Sequence, residues 1–334
     1  MYFDATLSPS NLAAIPEIAQ AAEAVGFDAL WCPETSHDPF LPGVLIAEHT
    51  QRLHFGTAIA VSFARSPTTL AYTAWDLAQY SQGRFILGLG TQVKAHIERR
   101  FGMPWPDSVV GKLREQIQAL RALWDCWQNG TALNFRGEYY RLSLMTPFFN
   151  PGAIAHPQIP VFIAGVNAGL AQLAGEQADG FLAHPFHSAA YLAEIIMPAI
   201  RHGAQKVQRS PQAVQLCVTA FTATNKDEIE FARSQIAFYA STPSYRRVLE
   251  HHGWGEIGEK LSALASRARW GEMPTLIDDT MLETFAVIAA EDQLGEKLRQ
   301  RYAPLAQRLA LYLPFIPGQR DAFWRNLVEE LRGA

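Results

Sequence analysis

The stretch GRFILGLGTQ, residues 83–92, decides how this chain is to be read. A turn signal precedes a run of apolar residues, and the run closes on Gly88-Leu89-Gly90-Thr91. Two folds put glycines after such a run. In a dinucleotide-binding βαβ unit, G-x-G-x-x-G follows the first strand, and an acidic residue comes about 20 residues later. Here Val93 stands where the third glycine belongs, and the motif closes the fourth apolar run rather than the first. In a closed parallel barrel, small residues at the carboxyl end of a strand either let a flat ring approach the backbone or simply fit the crowded interior. The position of the motif favours the barrel.

Working outward from it, short apolar runs alternate with helical periodicity. Residues 2–7, 28–34 and 53–61 read as the first three strands and 84–90 as the fourth; 159–165, 178–184, 213–223 and 308–315 supply four more. A helix is expected over 10–25, with Leu12, Ile15, Ile18, Ala22 and Val25 on one face, Pro16 in its first turn and Gly26 after its end. Another is expected over 68–80. Residues 110–128 carry Leu113, Ile117, Leu120, Trp124 and Trp127 on one stripe, and 132–142 reads as a hairpin around Arg136-Gly137. Residues 225–303 are nearly all helical in pattern. Eight strands separated by helices predict an α/β fold, a (β/α)8 TIM barrel. It is expected to be a single domain over 1–334, with insertions after strands 4 and 7, at 91–110, 130–158 and roughly 240–280.

Composition agrees. The 334 residues are 49% hydrophobic and 18% charged, enough for one barrel core, and the net charge of −4 gives no basic footprint for nucleic acid. No uncharged apolar run of about 18 residues predicts a membrane span. MYFDATLSPS has no basic segment ahead of an apolar one, so no signal peptide is expected. Cys32, Cys126 and Cys217 are far apart in apolar contexts, which predicts buried free thiols and a cytoplasmic protein. His184 and His187 have no third ligand at a useful spacing, and His251-His252 falls on a helical pattern; no metal is expected.

Three segments carry a resemblance: AEAVGFDALWCPE (22–34), LHFGTAIAVSFARSPTTLAYTAWDLAQYSQGRFILGLGTQ (53–92) and PVFIAGVNAGLAQLAGEQADGFLAHPF (160–186). In this order they resemble the bacterial-luciferase-like superfamily of flavin- and deazaflavin-dependent oxidoreductases. AHIERRFGMPWPDS, LRALWDCWQNG, FRGEYYRLSLMTPFF and ADGFLAHPFHS are similar to a subgroup described as coenzyme F420-dependent oxidoreductases. The resemblance implies a (β/α)8 barrel, coenzyme F420 or alternatively FMN, a small-molecule substrate and a homodimer.

Barrel active sites gather at the carboxyl ends of the strands. Past strand 2 come Glu34, His37 and Asp38. An imidazole there can give or take the proton that accompanies a hydride, and the resemblance implies a histidine in this loop, so His37 is the candidate acid or base. Asp38 is the candidate partner or coenzyme contact, and Glu34 a supporting acceptor. On strand 3 the resemblance implies a bulge with a cis peptide at Ala58–Ile59 that props the ring. Arg65 is either a surface charge or a contact for an acidic coenzyme tail. Gly90 and Thr91 close strand 4. Gly165, Val166 and Asn167 lead into a helix whose N–H groups suit a phosphate. His184, Phe186 and His187 are expected around the substrate. Phe40, Phe63, Trp105, Phe148, Phe149 and Phe186 suggest a mostly apolar pocket.

The resemblance fails at one point. Family sugar-phosphate dehydrogenases carry a glutamate after the strand-4 glycines, and GTQVKAH has no acid there, which argues against that activity. Deazaflavin-dependent hydride transfer on a largely apolar substrate, FMN-dependent monooxygenation and a non-catalytic flavin-binding barrel all stay open.

Overall fold

The computed structural model describes residues 1–8 and 11–333. Eight parallel strands close on themselves: β1 Tyr2–Thr6, β2 Ala29–Cys32, β3 His54–Thr57, β4 Phe85–Gly90, β5 Val161–Gly165, β6 Gly180–Ala183, β7 Gln215–Ala223 and β8 Arg308–Leu311. Each pairs with the next, and β8 returns to β1 with Leu309 opposite Phe3. The expected TIM barrel is present. It also answers the question set by residues 83–92: the glycines close a central barrel strand, not a βαβ crossover of an open sheet.

Side chains alternate across each strand. Trp31, Ile86, Phe162 and Cys217 point inward with Ala29 and form a small apolar plug. Beside it lies a buried charge pair. Arg308 donates to both oxygens of Asp4 at 2.8 Å, and Trp31 Nε1 donates to Asp4 Oδ2 at 2.9 Å. A buried ion pair holds only when its remaining hydrogen bonds are satisfied, as they are here. The outward-facing residues form the main core with the surrounding helices.

Those helices are α1 Ile15–Val25, α2 Leu41–His49, α3 Pro67–Tyr80, α4 Val109–Asn129, α5 Ala168–Gln177, α6 Met197–Lys206, α7 Lys226–Ala240, α8 Glu291–Tyr302 and α9 Asp321–Arg332. Their ends follow from local chemistry. Ser66, Ser108 and Asn225 each accept a backbone N–H as N-caps, and Gly26 ends α1 at φ 103°. All three cysteines are buried and free, and among the described residues no helix is long and apolar enough to cross a membrane.

Several sequence expectations change in detail. The helix expected over 10–25 is a short 3₁₀ turn, Leu12–Ala14, running into α1; Ser10, its expected start, lies outside the described residues. The third apolar run is broken. β3 stops at Thr57, and Ala60–Val61 resumes as a separate pairing with Leu89 and Gly90. The last strand ends at Leu311, leaving a lone bridge between Phe315 and Leu7. The expected hairpin is present: Phe135–Arg136 pairs with Arg141–Leu142, and its turn runs from Gly137 to Tyr140. The Glu115 carboxylate braces that turn by accepting from the N–H groups of Glu138 and Tyr139. The stretch 225–303 is not wholly helical: Ala286–Ile288 pairs with Phe221–Ala223 of β7 outside the closed barrel.

Candidate active site at the carboxyl end of the barrel

Extending the inward parity of each strand by two residues finds the side chains at the carboxyl mouth. On the β2–β4 side these are Pro33, Ala58, Gly88 and Gly90; on the β6–β8 side they are His184 and Tyr312. His184 N and Tyr312 N still donate to the neighbouring strands, at Gly165 O and Ala220 O, so the ladder carries both residues to the rim. The mouth is therefore lopsided, with small residues on one side and aromatic rings on the other.

The glycines of the β4 motif create the small side. A Cβ on Gly88 would lie 1.8 Å from Thr57 O, and one on Gly90 would lie 2.6 Å from the Ile59 side chain. Thr57 Oγ1 donates to Gly88 O at 2.6 Å and accepts from Gly88 N at 3.0 Å. The chain then passes through the peptide Ala58–Ile59, which is cis as the resemblance implies. Ile59 lies over Gly90.

The bulge is clamped from behind. Glu34, with its side chain 6% exposed, accepts from Val61 N at 2.7 Å and pairs with Arg65 at 2.6 Å. Gln116 of α4 is fully buried; it accepts from Ser62 Oγ and donates to the carbonyls of Ser62 and Arg65. The stripe read from the sequence, Leu113, Ile117, Leu120, Trp124 and Trp127, did not single out Gln116. Its one legible signal is an amide inside an apolar stripe.

Arg65 is not a free surface charge. It is held by Glu34 and, at 3.1 Å, by Asp38, and its guanidinium covers the Phe40 ring. Asp38 therefore does not orient His37. Its other oxygen accepts from Phe40 N and Leu41 N at the start of α2. His37 is exposed in the same loop, and among the described residues no side chain or backbone group bonds to its ring. Thr91 lies almost buried at the rim, its hydroxyl on Gln92 O at 3.3 Å.

At β5, Gly165 is required by packing, since a Cβ there would meet Leu170 Cβ at 2.9 Å. Asn167 occupies the N-cap position of α5 but makes no side-chain cap. Its Nδ2 donates instead to Ser244 O at 3.0 Å, and its Oδ1 is buried without a partner. The first N–H groups of α5 thus stay uncapped beside Val166, a donor set suited to an anion.

At β6 the three expected substrate residues part company. His184 stays at the mouth, between Tyr239 and Tyr245, with ring centroids 4.7 and 4.6 Å away. Its Nδ1 accepts from Phe186 N, and burial, with His187 nearby, holds it neutral down to about pH 3. Phe186 and His187 do not line an open cavity. Phe186 is fully buried against Phe285, and His187, 3% exposed, bonds through Nδ1 to His184 O and is held down to about 4 by burial. The turn after β6 folds them outward into the helices. Of the other aromatics, Phe40 and Phe63 are core, Trp105 packs edge-on against Phe63, and Phe148 and Phe149 are exposed on the inserted segment. Tyr239 and Tyr312, absent from the sequence reading, meet hydroxyl to hydroxyl at 2.7 Å.

The site thus joins a closed parallel barrel, strand-end glycines packed against Thr57 and Ile59, a bulged third strand and an exposed histidine loop. Residues 3–308 match the luciferase-like monooxygenase family, and the chain belongs to it. An uncharacterized protein of Mycobacterium tuberculosis is 46% identical over 90% of each chain. The coenzyme F420-dependent tetrahydromethanopterin reductase of Methanopyrus kandleri superposes with a TM-score of 0.78 at 20% identity, over 99% of this chain and 98% of that one. The oxygenating component of 3,6-diketocamphane monooxygenase from Pseudomonas putida, in complex with FMN, superposes with a TM-score of 0.66 at 16% identity, over 99% and 96%. At these identities the two structures speak for the fold. The family is one of oxidoreductases, and its barrels include F420-dependent and FMN-containing members.

Proposed function

We propose that the chain is an oxidoreductase that uses coenzyme F420 for hydride transfer to or from a small, largely apolar organic molecule. The observation that carries this reading is the lopsided mouth. A small-residue wall of Ala58, Gly90 and Thr91, with Ile59 packed over Gly90, faces a rim of aromatic side chains, with an uncapped helix start at Val166-Asn167 to one side. These residues fit a flat ring joined to a phosphate: the bulge at Ala58–Ile59 would prop the ring, and the N–H groups of α5 suit the anion. When bound, the deazaflavin supplies a carbon that accepts or donates a hydride.

The remaining chemistry falls to the chain. Glu34, Arg65 and Gln116 hold the bulge in place. Exposed His37 gives or takes the proton at the substrate oxygen. His184, held neutral by burial, is unsuited to that task near pH 7. Asp38 acts through Arg65 and the start of α2 rather than on the coenzyme. The same reading takes the enzyme to be cytoplasmic and homodimeric.

A second reading, a monooxygenase using reduced FMN and dioxygen, draws support from the FMN-containing relative fold, because the same wall and anion site would suit either ring. Absorbance and fluorescence titration of the purified protein with each coenzyme separates the two. Saturable binding of F420 without FMN is the expected result. Binding of FMN alone favours the monooxygenase, and binding of neither overturns both.

A further inference from the structure

We propose that the β6–β8 half of the mouth seats a planar aromatic molecule carrying a hydroxyl or carbonyl oxygen, hydrogen-bonded to the chain of Gln235, Tyr312 and Tyr239. The proposal rests on the coenzyme reading above, since it sets this substrate opposite the small-residue wall.

Helix α7 has two stripes. Ala232, Ile236, Ala237 and Ala240 are buried and pack the helix down. Phe231, Gln235, Phe238 and Tyr239 share another face by their spacing of four, three and one. That second face is apolar yet open: Phe231 and Phe238 are each 48% exposed, and Trp270, 50% exposed, lies 6.1 Å from Phe238. Phe231 lies nearly parallel to Tyr312, tilted by 29° at 6.3 Å. Such faces suit stacking and edge contacts with another ring.

One polar chain runs through this aromatic rim. Tyr312 donates to Gln235 Oε1 at 3.2 Å. A phenol has one proton, so Tyr239 must be the donor in its 2.7 Å bond to Tyr312. This direction leaves the Gln235 amide N–H groups and phenol lone pairs for a ligand. A carbonyl can accept from Gln235, and a hydroxyl can donate to a phenol oxygen. The polar atoms of this chain, an amide and two phenols, are all uncharged, while Arg233 pairs with Asp279 and Arg320 with Glu228 and Glu291. A neutral oxygen is therefore favoured over a carboxylate or phosphate.

Equilibrium dialysis of the full-length protein with naphthol and with naphthalene, with and without F420, tests the subsite. Two neutral hydrogen bonds should favour naphthol by about tenfold in Kd. Tyr312→Phe and Gln235→Leu should each bring the two probes to within about threefold, and Phe231→Ala should weaken both probes alike. Equal affinity for both probes in the wild type, no binding of either, or a preference that survives both polar substitutions overturns the proposal. Parallel F420 titrations keep the two readings apart. A naphthol preference in a protein that does not bind F420 removes the coenzyme reading alone; F420 binding without the preference removes this subsite alone.

Discussion

Thr57 and Gly88 are bonded in both directions: the threonine hydroxyl donates to Gly88 O at 2.6 Å and accepts from Gly88 N at 3.0 Å. A side chain here takes over from the backbone ladder at the point where β3 leaves the sheet. The exchange is possible because Gly88 has no Cβ. It ties the most legible motif of the sequence to the bulge that shapes the mouth.

Gly88→Ala should therefore destabilise the protein. The added carbon would lie 1.8 Å from Thr57 O, a backbone atom that cannot swing aside. Overpacking of this kind costs about 1–3 kcal/mol, sometimes more. Urea unfolding followed by circular dichroism checks it, and an unchanged midpoint would refute the strict requirement for glycine.

Glu34→Gln keeps an oxygen for Val61 N but loses the charge facing Arg65. A hydrogen bond to a charged group contributes about 1.5–3 kcal/mol, and Asp38 remains to hold Arg65 in part. A stability loss toward the lower end of that range is expected, together with weaker coenzyme binding as the 58–65 segment loosens. Calorimetric titration of the variant measures the second effect. Unaltered coenzyme affinity would mean that the ion pair does not position the bulge.

His37→Ala should lower turnover by about 10²–10⁴-fold, the usual worth of a positioned acid or base. Coenzyme affinity should stay near that of the wild type, since the ring is exposed and bonds to nothing else in the loop. If turnover with an identified substrate is retained, the proton is handled elsewhere.

Glu176 links stability to pH. Burial pushes its carboxyl up, but hydrogen bonds from Gln172, Arg114 and Lys206 outweigh burial and bring it from the ordinary 4.5 down to about 2. The folded state thus binds the proton less readily than the unfolded chain. The contribution is complete above about pH 4.5 and is lost as pH falls toward about 2. Urea midpoints of wild type and Glu176→Gln should differ most at neutral pH and converge on acidification. A gap that does not depend on pH would show that the clamp of α4, α5 and α6 is not electrostatic.

The buried histidines act in the same direction. Burial holds His184 down to about 3 and His187 to about 4, below the ordinary 6.5, so the unfolded chain takes up protons first. Stability should fall as pH drops below about 6.5 toward those values. The fall should be smaller in His187→Gln, as proton-uptake measurements on unfolding would register.

Much of this was legible in the sequence because alternation and helical periodicity are local. The apolar runs at 28–34, 84–90 and 159–165 needed no partner to be recognised as strands, and eight of them with helices between implied closure. The loop after the second strand and the helix start at Asn167 were legible for the same reason, as neighbours of strand ends. What only the tertiary structure decided were the contacts between residues far apart in the chain. Arg65 turns to Glu34 and Asp38 because the ends of β2 and β3 lie side by side. Phe186 and His187 turn into the core because the chain after β6 must bend back to reach α6. Tyr239 and Tyr312, separated by 73 positions, meet because closing the sheet brings the last turn of α7 over the end of β8. A residue's own pattern reports which face it prefers, whereas its partner is set by which strands the closed barrel makes adjacent.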